Sequence, residues 1–206
     1  MRKCLFLDLD NTIVPEAVFD ALFIYYKFSR SSEFFWEDIL ITFLNLKESS
    51  RELTFNRLKN QFKSINNSLD ELVFSYQNFN YDEFNPSYIH IYQSFSIIDQ
   101  LIMDFPSHEV WIATEGNYNR QKNKIRALSI KSKLSGYIIL DPNISPFKQK
   151  VNCNLQDYFE DKIEGLVVGD NIVSDKFFAE NNNLKFNFFE NKLESINQLI
   201  SDIKKI

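Results

Sequence analysis

Lys3-Cys-Leu-Phe-Leu-Asp-Leu-Asp-Asn-Thr12 joins a short apolar run to two aspartates and a turn pair. Residues 3–9 read as a strand buried on both faces, the pattern of a parallel sheet. Residues two apart on an extended segment point the same way, so Asp8 and Asp10 emerge near each other at the strand end. Two such anions repel, and one is protonated unless a cation lies between them. Asp10-Asn11 is also a common turn pair, so a strand closed by an Asx turn is the structural alternative. Two carboxylates beside a wholly apolar run favour chemistry, with Asp8 as the candidate nucleophile.

Beyond Pro15 the apolar spacing turns helical and stays so to about residue 94. It predicts one helix from Ala17 to Phe28, a second from Phe34 to Leu46 and a weaker third from Leu53 to Ile65. Ser68 with Glu71 has the form of a capping box opening a fourth helix over 69–76. Asn85-Pro86 reads as a cap and first-turn proline for a longer helix ending near Phe105. The rhythm then changes. Strands are expected at 110–113, 137–140, 166–168 and 184–189, with helices at 118–130, 151–159, 172–180 and 193–203. Strands alternating with helices predict an α/β fold, a three-layer Rossmann-like parallel sheet covered on both faces. The helical block is too long for one crossover. It is expected to be an inserted helical domain, 14–94, in a core domain made of 1–13 and 95–206.

At 206 residues the chain has room for one sizeable core and a smaller appended domain. Only 4 Gly and 5 Pro occur, so turns must lean on Asn, Asp and Ser. The net charge of −5 gives no global field for nucleic acid or an anionic membrane, and any anionic substrate must be held by local cations. Cys4 and Cys153 have no paired spacing, which argues against a disulfide framework or zinc site and for a reducing cytoplasm. Met-Arg-Lys followed by apolar residues superficially resembles a signal peptide, but Asp8 and Asp10 interrupt the run. No stretch is long and apolar enough to span a bilayer. The many Phe and Tyr at helical spacing read as core rather than as a base-stacking surface.

Three further signals fall just past predicted strands, where a parallel open sheet places its ligand crevice. Trp111-Ile-Ala-Thr114-Glu-Gly116 ends a strand in a hydroxyl and a turn glycine, with Asn117 able to cap the next helix. Thr114 can donate to a phosphate oxygen, although threonine at a strand end is commonly structural. Pro146-Phe-Lys148-Gln-Lys150 offers a lysine to offset the carboxylates, while lysines in a polar loop are commonly solvated. Val167-Val-Gly169-Asp170-Asn-Ile-Val-Ser-Asp175 turns on Gly169 and presents Asp170, with Asp175 about one helical turn on. Acidic residues suit a first helical turn in any case, so Asp175 has a structural reading too. Three carboxylates, a hydroxyl and a lysine form an oxygen-rich set that suits Mg²⁺. No glycine-rich phosphate loop is present, and His90 and His108 form no ligand pair.

Taken in order, Asp8-x-Asp10-x-Thr12, strand-Thr114, a lysine, and Gly169-Asp170-x4-Asp175 resemble the haloacid dehalogenase-like (HAD) hydrolase superfamily. Thr114-x-Gly116 with Gln121 and Lys124 is similar to the helix opening of its phosphatase members. The insertion after the first motif resembles that superfamily's helical C1 cap. The resemblance implies a Mg²⁺-dependent phosphomonoester hydrolase acting on a small phosphorylated metabolite. It makes Asp8 the nucleophile and Asp10 the acid and base. Asp8, the Asp10 main-chain carbonyl and Asp170 would hold Mg²⁺, with Asp175 behind them, and Thr114 and a lysine would bind phosphate. Lys148 sits where many such members have Lys-Pro, but Gln149 replaces the proline and Lys150 is the alternative. A phosphotransferase or mutase, or a weakly active regulatory relative, are the other readings. A monomer or homodimer with no stable nucleic-acid or membrane partner is expected.

Overall fold

The computed structural model describes all residues except 31–32, 48–49, 82–88, 90–91, 93–94, 129–131 and 206. Five strands form one parallel sheet: β1 (Arg2–Leu7), β2 (Glu109–Glu115), β3 (Gly136–Leu140), β4 (Ile163–Gly169) and β5 (Lys185–Phe188). Their order is β3-β2-β1-β4-β5. The chain lays β2 and β3 on one side of β1, then returns to lay β4 and β5 on the other. That reversal beside β1 opens a crevice past the carboxyl ends of the strands.

Alternation along β1 explains why its residues from Cys4 to Leu7 are all apolar. Leu5 and Leu7 join the core on one face, with Phe23, Phe43 and Leu199. Cys4 and Phe6 join the core on the other, where Phe6 meets Phe159 and Phe178 edge-on at centroid distances of 6.2 and 5.7 Å. Register with both neighbours is fixed, Leu5 pairing with Val110 on one side and Leu166 on the other.

Between β1 and β2 lie α1 (Glu16–Phe28), α2 (Trp36–Asn45), α3 (Arg51–Gln61) and α4 (Leu69–Gln77), then α5 (Phe95–Asp104). The expected capping box is formed: the Glu71 amide donates to Ser68 Oγ at 3.1 Å, and the Ser68 amide to Glu71 Oε2 at 2.9 Å. Tyr26 and Phe74 stay exposed, whereas most aromatic residues of these helices are core, with Phe23 edge-on to Phe55, Tyr76 and, just past α4, Phe79. They share one apolar cluster with the adjoining face of the sheet. The Asn85-Pro86 cap lies outside the described residues; α5 covers the end of the helix expected there.

The remaining helices are α6 (Tyr118–Arg126), α7 (Ser174–Asn181) and α8 (Ile196–Ile203). The helix expected over 151–159 is replaced by two 3₁₀ turns, Lys150–Asn152 and Leu155–Asp157. Asn182 takes the backbone groups a continuous helix would have used. Its side-chain Nδ2 donates to the Cys153 carbonyl at 2.9 Å, and its side-chain oxygen accepts from the Leu155 amide at 2.7 Å. Asn154 also bonds the Gln156 amide locally, an alternative to helix that asparagine offers. Among the described residues, no helix is long and apolar enough to cross a membrane.

Candidate active site

Asp8 follows β1 directly, and its amide continues the ladder to the Val168 carbonyl at 2.9 Å. Asn11 then adopts φ 58°, a left-handed conformation that asparagine tolerates, and turns the chain back into α1. Its side-chain oxygen accepts from the Glu16 amide at 3.0 Å. Asn191 fastens this turn from the far end of the chain, donating to the Ile13 carbonyl at 3.1 Å.

Across from Asp8, the strand β4 ends at Gly169. A side chain there would meet Asp175 Oδ2 at 2.2 Å, so glycine lets the Asp175 carboxylate fold back over the strand end. Asp175 is fully buried and accepts from the Asn171 amide at 3.0 Å. Asp8, Asp170 and Asp175 each bring a carboxylate oxygen within 4.8 Å of the other two.

Lys150 is the cation of this cluster. It is 3% exposed, and its ammonium donates to both Asp8 and Asp175. Its backbone is anchored by its amide donating to Glu115 Oε2 at 2.8 Å. Lys148, the first choice on sequence, is exposed and lies outside the cluster, its amide closing a loop turn with the Ser145 carbonyl at 2.8 Å. The difference in position between the two lysines has a plain cause. The Glu115 contact and the 3₁₀ turn at Lys150 draw that residue inward, and the loop carrying Lys148 stays in solvent.

Three carboxylates against one ammonium leave a formal excess of two negative charges in a buried place. Burial pushes the Asp8 carboxyl up to about 8; Lys150 pulls it down, while Asp175 and Asp10 repel it. Asp170 is raised as well, by burial and then by Asp175. For Lys150, burial works against the charge, but Asp8 and Asp175 more than offset it. A set of oxygen donors with that excess charge fits a divalent, hard cation such as Mg²⁺.

Asp10 also lines the crevice, with Asp8, Thr114, Lys150 and Asp170. Thr114 is 1% exposed at the end of β2. Asp10 has its own cation: Lys124 Nζ lies 2.6 and 2.8 Å from its two oxygens. The site residues chosen from sequence therefore converge in one crevice, Lys148 excepted. This part of the crevice has a volume of about 360 Å³ and shares Asp10, Glu115, Gly116 and Asn143 with an adjoining part of about 430 Å³. The second part reaches Arg51, Tyr76 and Arg120, on α3, α4 and α6.

Sequence reasoning missed the charges behind that second part. Glu16 accepts from Lys47, from Arg51 and, at 3.4 Å, from Arg120. Arg120 Nη2 donates to the buried Asp20 at 2.8 Å, and Tyr76 Oη donates to the same Asp20 oxygen at 2.6 Å. Burial opposes the Glu16 charge, but Lys124, Arg120, Arg51 and Lys47 more than offset it and hold that carboxyl below its ordinary range. The one local signal was Arg120 in the first turn of α6, since a cation is poorly placed at a helix N-terminus.

No protein-family model matches the sequence, and no curated protein matches it. Solved structures do match. A proposed HAD hydrolase, YfnB from Bacillus subtilis, in a magnesium-bound form, is similar at 15% identity and a TM-score of 0.63, over 95% of this chain and 90% of that one. A haloacid dehalogenase-like family hydrolase from Streptococcus pneumoniae aligns at 16% identity and TM-score 0.52, over 97% and 90%. A proposed β-phosphoglucomutase from Thermotoga maritima aligns at 13% and 0.54, over 98% and 91%. The chain has the HAD-like α/β fold, with the residues of its crevice as described above.

Proposed function

We propose that the chain is a Mg²⁺-dependent phosphomonoester hydrolase that acts on a small phosphorylated metabolite through an aspartyl-phosphate on Asp8. The observation that carries this reading is the meeting of Asp8, Asp170, Asp175 and Lys150 at the strand ends, with Asp10 beside them on a separate lysine. An Asp8 oxygen bonds to phosphorus as the bond to the leaving oxygen breaks, which splits hydrolysis into two easier steps. Asp10 protonates that leaving oxygen. It then takes a proton from the water that attacks phosphorus, releasing phosphate and restoring the Asp8 carboxylate. Lys150 and Thr114 supply a cation and a hydroxyl to the phosphate oxygens.

Asp8, Asp170 and the Asp10 main-chain carbonyl would hold Mg²⁺, with Asp175 supporting them. When bound, the ion screens the anionic nucleophile from an anionic substrate and stabilises charge on the transferring group. A halide leaves without a proton, so Asp10 has no task in dehalogenation, and a phosphoester is the better substrate. We read 14–94 as a cap over a core of 1–13 and 95–206, because α3 and α4 wall the outer part of the crevice and can exclude water from it. With a net charge of −5 and two buried free cysteines, we take the protein to work in the cytoplasm as a monomer or homodimer.

The test is phosphate release from 4-nitrophenyl phosphate. Turnover should require Mg²⁺, stop with a chelator, and fall by a factor on the order of 10³ or more in Asp8→Asn. Turnover that ignores the metal or survives this substitution rejects the mechanism. Preferential transfer to an added alcohol would instead identify a phosphotransferase on the same scaffold.

A further inference from the structure

Lys124 is a buried cation to which the steps above assign no task. Its side chain has no exposure, and its ammonium stands 4.9 Å over the Phe19 ring. Both Asp10 oxygens lie within 2.8 Å of it. Gln121, one helical turn earlier on α6, donates from Nε2 to Asp10 Oδ2 at 3.0 Å and to the Glu115 carbonyl at 2.9 Å. Lys150 serves Asp8 and Asp175, so the two aspartates of the first motif have separate cations.

Space is made for this arrangement. Gly116 adopts φ 140°, and a side chain there would meet Gln121 Nε2 at 2.9 Å. Asn117 then caps α6 by accepting from the Arg120 amide at 3.1 Å, which fixes the helix that carries both residues. An ammonium taken wholly out of water is expensive, and an ion pair meant only for stability gains little by it. Its two-pronged grip removes rotational freedom from a carboxylate that is otherwise 19% exposed at the crevice edge.

We propose that Lys124 is a positioning residue that, with Gln121, fixes the Asp10 carboxylate in the orientation from which it serves the leaving oxygen and the water. The inference rests on the reading of Asp10 as acid and base. Holding a reacting group in line is a large part of catalytic power, and a misplaced group forfeits it even when every atom is still present.

The test is a double-variant cycle on the Mg²⁺-loaded enzyme with 2-glycerol phosphate, an alkyl ester that needs a proton on its leaving oxygen. Lys124→Met is expected to lower kcat by about tenfold or more with KM within about threefold. In the Asp10→Asn background the same change should have no further effect. Lys124→Arg should recover part of the loss. Should Lys124→Met fail to fold by circular dichroism, Gln121→Ala takes its place, with a smaller loss that also vanishes beside Asp10→Asn. Losses that multiply in the double variant, or that sit in KM, overturn the inference and leave the role of Asp10 standing. An Asp10→Asn enzyme as active as the parent removes that role, and the inference with it.

Discussion

Replacing Lys150 by methionine leaves Asp8 and Asp175 facing each other without their shared ammonium. Breaking a buried pair from one side costs about 3–5 kcal/mol, so metal-free Lys150→Met should unfold at distinctly lower denaturant. Its Mg²⁺-dependent turnover should fall by about 10²-fold, since a charge aimed at the reacting oxygens is lost. Lys148→Ala removes only an exposed side chain and should stay within about 0.5 kcal/mol of the parent. These residues also show how far sequence reading reached. Asp8, Asp10 and Asp170 were legible because a short carboxylate just past an apolar strand has few places to go. A lysine stem is long enough to reach the crevice from several positions. What draws Lys150 inward is the hydrogen bond from its backbone N–H to Glu115, a contact 35 residues away that no local pattern carries.

At the scale of elements, reading succeeded where the signal was local chemistry. Ser68 with Glu71 and Asn117 before α6 named their helix starts because capping bonds span only three residues. Ser68→Ala should therefore cost about 1 kcal/mol in thermal or chemical unfolding while leaving turnover unchanged. Reading failed over 151–159, where Val151, Leu155 and Phe159 have helical spacing but the side chain of Asn182, at the C-terminal end of α7, supplies the backbone partners. It also left Lys124 without a role. On a helix its spacing fits a buried face, and a face does not say which carboxylate waits opposite. Folding placed Asp10 there through the Asn11 turn, which sets the aim of the carboxylate and was visible only as a common turn pair.

For the whole molecule, the crowded carboxylates couple stability to pH and to metal. Asp8, pushed up to about 8 from an ordinary 3.8, keeps a proton in the folded state that the unfolded chain releases. Its contribution to stability therefore declines as pH rises from about 4 to about 8, and Asp170, also raised, acts in the same sense. Glu16, held below its ordinary range, works in the opposite sense only near and below its ordinary 4.5; above about pH 6 it is ionised in both states and does not mask the trend. The metal-free melting temperature should fall between about pH 5 and pH 8. If the proposed site holds Mg²⁺, the ion should raise it more at the upper pH, because metal binding needs the carboxylates deprotonated. The same sheet order has a consequence for how the protein is made. β1 is central and pairs with β4, whose partner residues follow it by most of the chain's length. At about 5–20 residues per second, the ribosome leaves this largely apolar strand with at least one edge unpaired for roughly ten seconds or more. During that interval Asp8 exists without Asp170 or Asp175, so the carboxylate cluster forms only once most of the chain has been made.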